Sequence, residues 1–140
     1  MSNDSQDFER FMKRREDAAR AFVNGDVVSL NRISARTSPV SFFGPKGGHE
    51  QGAEQVSAAY QRDAARFDSG ETHFEILHMH ASDGIGYWVG FQKATARLKG
   101  SADAVPFDLR VTEVFRREDG DWKLIHRHAD TLAAEAGGRK

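Results

Sequence analysis

RVTEVFRREDGDWKLIHRHAD, residues Arg110 to Asp130, consists of two alternating runs on either side of an acidic turn that ends in glycine. In the first run Val111, Glu113 and Phe115 alternate with Arg110, Thr112 and Val114. In the second, Trp122, Leu124, His126 and His128 alternate with Ile125 and Arg127. A period of two is the period of a strand, whose successive side chains point to opposite faces. Glu118-Asp119-Gly120 joins the runs as an antiparallel hairpin. Read as a three-residue loop with Gly120 left-handed, it sets Arg117 opposite Asp121 and Glu113 opposite Ile125. One face then carries Val111, Glu113, Phe115, Ile125 and Arg127. The other carries Arg110, Thr112, Val114, Trp122, Leu124, His126 and His128. A two-residue turn would mix these groups, because a slip of one residue exchanges the faces.

Upstream the same period continues. Strands are expected over roughly Glu71 to His80, Gly86 to Leu98 and Phe107 to Arg117, with Ser82-Asp83-Gly84 as a second hairpin turn. Phe74, Ile76, His78 and His80 share one face by alternation. Before Glu71 the period is that of a helix. Phe8, Phe11, Met12, Ala19, Phe22 and Val23 recur at three- and four-residue steps, and Asn24-Gly25 stops the run. A short helix follows with Val27, Leu30 and Ile33, then a strand from Thr37 to Phe43. Gly52 to Phe67 is a third helix with Val56, Ala59, Tyr60, Ala64 and Phe67 on one side. Lys46-Gly47-Gly48-His49 is a flexible loop; Gly44 to Gly48 lacks the spacing of a phosphate loop, so a mobile pocket rim is expected, with Pro45 to Glu50 among the most mobile ordered segments. The expectation is an α+β fold, a curved and mainly antiparallel sheet wrapped by three N-terminal helices into a cone with a pocket. One domain should span residues 7–130, with residues 1–6 and 131–140 loosely packed.

Composition narrows the function. Twenty basic and 21 acidic residues leave a net charge of −1, which argues against a nucleic-acid binder or an anionic membrane surface. There is no cysteine, hence no disulfide and no thiolate chemistry. No apolar run reaches membrane-spanning length and no signal segment opens the sequence, so a cytoplasmic protein is expected.

The hairpin Arg110–Asp130 resembles the C-terminal hairpin of the nuclear transport factor 2-like superfamily, in its SnoaL-like and kinase II association-domain branch. Phe42 to Tyr60, FFGPKGGHEQGAEQVSAAY, is similar to that branch's entry into its third helix. The resemblance implies a pocket and a homodimer. Its enzymes imply a cofactor-independent acid/base reaction (isomerase, cyclase or dehydratase) on an apolar or mixed-polarity small molecule. The kinase hub implies the alternative, a non-catalytic ligand-binding or oligomerisation module. The hub's pocket arginines fall at Val89, Glu113 and Ala129, none of them arginine here, so its ligand chemistry is not implied. Ketosteroid isomerase carries a tyrosine on its first helix; this first helix has none.

Glu113 and Arg127 are the candidate catalytic pair, a carboxylate beside a guanidinium at a pocket floor. Tyr87, Val89, Phe91, Val111, Phe115 and Ile125 are the expected lining. Were the faces reversed, Arg110, Thr112, His126 and His128 would take over. Six histidines invite a metal, but the pairs His78/His80 and His126/His128 have nothing to bring them together, so no metal and no cofactor is expected. The run Lys13-Arg14-Arg15-Glu16-Asp17 reads as a solvated helix face. Trp122, Leu124, Val114 and Thr112 are expected on an outer face that a second copy covers. On this reading Glu113→Gln removes acid/base activity while preserving the fold.

Overall fold

A computed structural model describes residues 3–133. Helix α1 (Asp4–Phe22) leads into the short α2 (Val28–Ile33), then strands β1 (Ser41–Phe43) and β2 (His49–Gln51) and helix α3 (Ala53–Ala64). Strands β3 (Phe67–Ser82), β4 (Ile85–Leu98), β5 (Val105–Pro106), β6 (Leu109–Glu118) and β7 (Asp121–Thr131) complete the chain. They form one seven-stranded sheet in the order β2-β1-β7-β6-β4-β3, with β5 beside β4. Its pairs are antiparallel except β1 with β7. The end strands do not meet, so the sheet stays open. Among the described residues, no helix is long and apolar enough to cross a membrane.

The helices lie on one face. Phe8 of α1 sits edge-on to Phe115 and Trp122, with both ring pairs at 5.2 Å, and Phe11 meets Phe115 at 5.3 Å. Such edge-to-face pairs stabilise by about 0.5–1.5 kcal/mol each beyond their buried area. Tyr60 of α3 packs on Phe42 of β1 at 5.0 Å. Gly86 makes the approach of α1 possible, because a Cβ there would lie 2.9 Å from the Phe8 ring.

The β6–β7 hairpin departs from the expected register in a specific way. Glu118 pairs with Asp121, so the turn is the two residues Asp119 (φ 51°) and Gly120 (φ 84°). A bulge then leaves Ile125 without a cross-strand partner, between Leu124 opposite Phe115 and His126 opposite Val114. The turn shifts parity once and the bulge shifts it back. Past the bulge, Arg127 lies directly opposite Glu113, where a diagonal relation was expected. Before it, Trp122 and Leu124 are buried beneath the helices, which overturns their assignment to an outer face. The same device acts in β3. A bulge between Ile76 and His78 sends His78 and His80 to the face opposite Phe74.

Several boundaries also move. Residues 4–6 belong to α1 and Thr131 to β7, so those parts of the expected loose termini are ordered. Asp4 anchors the start, accepting from the Gly84 N–H at 2.9 Å and pairing with Arg117 at 2.8 Å. Residues 1–2 and 134–140 lie outside the described residues. Helix α3 ends at Ala64 and β3 begins at Phe67, earlier than Glu71. The expected loop at His49 is instead a hairpin, with Phe43 opposite His49 and a Gly44 N–H to Gly48 O bond of 3.0 Å closing its tip. The edge strand β3 is held by α1 and the turn that follows it: Glu16 accepts the Phe74 N–H at 2.8 Å, and Asn24, in that turn, accepts the Gly70 N–H at 3.2 Å and donates to its carbonyl at 3.1 Å.

Candidate buried site beneath helix α1

Glu113 is 0% exposed at the centre of the helix-covered face. A carboxylate there must be paired, since burying an isolated charge costs several kcal/mol or more. It is paired fully. Oε1 accepts from Arg15 Nε at 2.9 Å and from Trp88 Nε1 at 2.8 Å. Oε2 accepts from Arg15 Nη2 at 2.7 Å and Arg127 Nη1 at 2.6 Å. Arg127 continues the network to Gln92 at 2.7 Å, Gln92 donates to Thr72 Oγ1 at 3.2 Å, and Thr72 donates to the Lys93 carbonyl at 2.9 Å.

Burial alone would raise the Glu113 pKa. The charges of Arg15 and Arg127, with their hydrogen bonds, outweigh burial and hold it down at about 2. For Arg15, burial opposes the charge, Glu113 outweighs burial, and the pKa is raised. A carboxyl whose folded pKa lies below its ordinary 4.5 contributes stability that is present above pH 4.5 and lost as the pH falls toward 2. The gap corresponds to about 3 kcal/mol. The Glu113 carboxyl carbon should therefore still report an ionised group at pH 3 by NMR, with the denaturation midpoint falling between pH 4.5 and 2.

Glu113 and Arg127 are thus brought together as expected, with Val111 and Phe115 on the same buried face. Ile125, bulged, packs at the margin of the core. Tyr87, Val89 and Phe91 are placed otherwise: they pair with Val114, Thr112 and Arg110 and share the opposite, helix-free face. Strand alternation is the reason, because Trp88, Gly90 and Gln92 between them are the buried set.

Arg15 is the partner that sequence reasoning missed. It is 2% exposed, although it sits in a run of charges. The signal was its spacing: Phe8, Phe11, Met12, Arg15, Ala18 and Ala19 form a single stripe. Helix α3 adds two more polar groups. The Tyr60 hydroxyl is buried without a hydrogen-bond partner among the described residues. Burial raises its pKa, with Arg127 opposing. Asp63, one turn further on, is half-buried; burial raises its pKa against Arg66, Arg62 and Lys46.

The other histidine candidates lie on the helix-free face. Ser41 Oγ and His126 Nδ1 are 2.7 Å apart, and Phe43 stands edge-on to His126 and His128. Burial and His128 lower the His126 pKa. Arg110 makes a two-point bond to Asp130 at 2.7 and 2.9 Å, while Thr112 is exposed beside it. His78, on β3, meets the Tyr87 hydroxyl of β4 at 3.1 Å, and β4 and β6 separate its strand from the His126/His128 pair on β7. A hollow of about 540 Å³ opens beside Phe43, bounded by Pro45, His49, His128 and Asp130. A second, of about 400 Å³, lies between α1 and the β6–β7 turn. Neither is lined by Glu113.

The family model of the SnoaL-like domain matches residues 12–133. No curated protein matches the chain. Among solved structures, a candidate dehydratase of the NTF2-like family from Streptomyces avermitilis superposes with a TM-score of 0.77 at 20% identity, over 92% of this chain and 98% of that one. A candidate scytalone dehydratase from Novosphingobium aromaticivorans gives 0.74 at 14% identity, over 91% and 83%. A candidate calcium/calmodulin-dependent protein kinase type II association domain from Thiobacillus denitrificans gives 0.66 at 16%, over 83% and 90%. At these identities the likeness is one of fold.

Proposed function

The chain belongs to the SnoaL-like domain family, and from that premise we propose that it is a non-catalytic ligand-binding or assembly module whose Glu113 cluster is a structural keystone. One observation carries this reading: the carboxylate expected to do acid/base work has every acceptor position engaged by Arg15, Arg127 and Trp88. A general base needs a pKa near the working pH and a free lone pair. Glu113, held at about 2, is suited to neither requirement.

The surface that supports assembly is the helix-free face. Tyr87, Val89, Phe91 and Val114 are half-exposed there, and Ile85 and Phe43 are 46% and 43% exposed. A second copy, two-fold related, covers this face in the proposed dimer. Val114 and Thr112 keep their expected places in it, and Tyr87, Val89 and Phe91 replace Trp122 and Leu124. An interface of about 1,000 Å² or more is needed for stable association. Light scattering at micromolar concentration should give a dimer, and Tyr87→Lys should give a folded monomer. A monomeric wild type would sink the assembly reading.

A second reading is favoured by a specific observation. Asp63 is a half-buried carboxylate with a raised pKa one helical turn from Tyr60, and two of the similar structures are candidate dehydratases. On that reading Asp63 transfers the proton. Mass spectrometry of the small molecules that co-purify, before and after incubation, separates the two. A bound compound recovered unchanged supports the module; conversion that Asp63→Asn abolishes supports the enzyme.

A further inference from the structure

The hollow beside Phe43 has no part in the Glu113 cluster, and its wall is built of rings. Phe43 of β1 pairs with His49 of β2 on one side and with His128 of β7 on the other, so the three side chains form one row across the helix-free face. Phe43 stands edge-on to three imidazoles, at 4.9 Å from His126, 5.5 Å from His128 and 6.5 Å from His49. These contacts hold its ring in place although it is 43% exposed. The β1–β2 tip is preformed as well, with the Gly44 N–H on the Gly48 carbonyl and the Gly47 N–H on the Gly44 carbonyl, each at 3.0 Å. A Cβ on Gly47 or Gly48 would meet nothing within 4 Å, so the tip leaves room for a flat molecule. The hollow measures about 540 Å³, within the range of about 300–1,000 Å³ found for small-molecule sites.

The polar groups of the hollow decide what kind of molecule suits it. Among the described residues its lining holds one carboxylate, Asp130, and no lysine or arginine. Arg110, which is not in the lining, balances that carboxylate through bonds of 2.7 and 2.9 Å. An anion would find no cation in the lining, and a cation would find a carboxylate already paired, so a neutral ligand fits best. Asp130 Oδ2 lies 3.6 Å from His128 Nε2, which favours the tautomer with its hydrogen on Nε2. His128 Nδ1 is then an acceptor without a hydrogen-bond partner among the described residues. Rings prefer to meet rings edge-on or offset, and Phe43 and His49 offer both edge and face. We propose that the hollow binds a neutral, planar aromatic compound bearing a hydroxyl, with its ring against Phe43 and His49 and its hydroxyl donating to His128 Nδ1. The site names a ligand class for the module, and rests on that reading only in that the compound is held and not converted. It lies at the border of the helix-free face. Val114 is two strands away on β6 and Tyr87 three away on β4, so the proposed subunit interface is centred elsewhere.

Calorimetric titration of the full chain with 2-naphthol tests the site, because ring and hydroxyl can be varied separately. One molecule should bind per chain. 2-Methoxynaphthalene keeps the rings and loses the donor, and should bind about tenfold more weakly. His128→Phe keeps a ring beside Phe43 and removes the acceptor. It should weaken 2-naphthol to the same degree and leave 2-methoxynaphthalene unchanged, a split that a merely structural loss would not give. Phe43→Ala should weaken both compounds by about tenfold. 2-Naphthoate, an anion of similar shape, should bind no better than the methoxy compound. In the amide NMR spectrum the largest shifts should fall on Gly47, Gly48 and His49. Failure of 2-naphthol to bind overturns the proposal, as does equal affinity for 2-naphthol and 2-methoxynaphthalene, tighter binding of 2-naphthoate, or a set of shifts confined to other places. Light scattering keeps this result apart from the assembly reading. A dimer that ignores 2-naphthol loses only this site, and a monomer that binds it loses only the assembly.

Discussion

Glu113→Gln should destabilise the fold by about 3–5 kcal/mol, the cost of removing one partner from a buried ion group. The substitution preserves shape, and from sequence alone it promised a folded, inactive protein. Arg15 changes the outcome. With Gln at 113, two buried guanidiniums lose their shared counter-charge, and one end of the amide turns a donor toward donors that had an acceptor. Trp88 Nε1 keeps its bond only if the amide oxygen stays on that side. Chemical denaturation measures the effect as a lower midpoint with an unchanged slope. The double variant Arg15→Met, Glu113→Leu should recover part of the loss, because an apolar replacement of a buried ion pair is often neutral or better. A single Glu113→Gln variant as stable as wild type would show that the cluster does not hold the core together.

Gly90→Ala should cost about 3 kcal/mol, at the upper end of overpacking effects. A Cβ on Gly90 would lie 2.1 Å from the Glu75 carbonyl oxygen and 3.0 Å from the Ile76 Cα. Both are backbone atoms, at the start of the bulge that turns β3, so no side-chain rotamer can relieve the clash. The strand must move, and the Glu16 bond to the Phe74 N–H moves with it. Gly48→Ala is the control, with nothing within 4 Å of its new methyl. Circular dichroism melts of the two variants should differ clearly, Gly48→Ala staying within about 0.5 kcal/mol of wild type.

The fold was legible because periodicity survives small errors. Helix and strand runs, turn residues and the order of elements all follow from local pattern, and a boundary misplaced by four residues at β3 changes nothing downstream. Face assignment is more fragile. The loop at Gly120 was read one residue too long, and the bulge at Ile125 has no marker in the sequence, no glycine or proline. The two effects compensate beyond the bulge, which is why Glu113 and Arg127 fall on one face, whereas before it the turn acts alone and puts Trp122 and Leu124 on the other face. His78 and His80 follow the same logic at the Leu77 bulge. Arg15 was hidden for a different reason. Its partner is 98 residues away, and charge is a weaker guide to exposure than position on an apolar stripe. Tyr60 stood in its helix pattern as a core residue, and its unpartnered hydroxyl is a property only of the packed molecule.

The hold of α1 on β3 decides how much of the sheet's border is open to other molecules. β3 is 16 residues long and ends the sheet, which makes it a template for edge-to-edge growth of sheets between molecules. Glu16 and Asn24 occupy its outward amides at Phe74 and Gly70, so the first helix and the turn after it act as a guard rail along half of that border. Beyond Phe74 the border carries exposed Ile76 and Leu77, and only the kink of the bulge breaks its line. Conditions that loosen α1 would therefore unmask an aggregation seam before the sheet itself opens, and the protein's shelf life would be set by its first helix more than by its core.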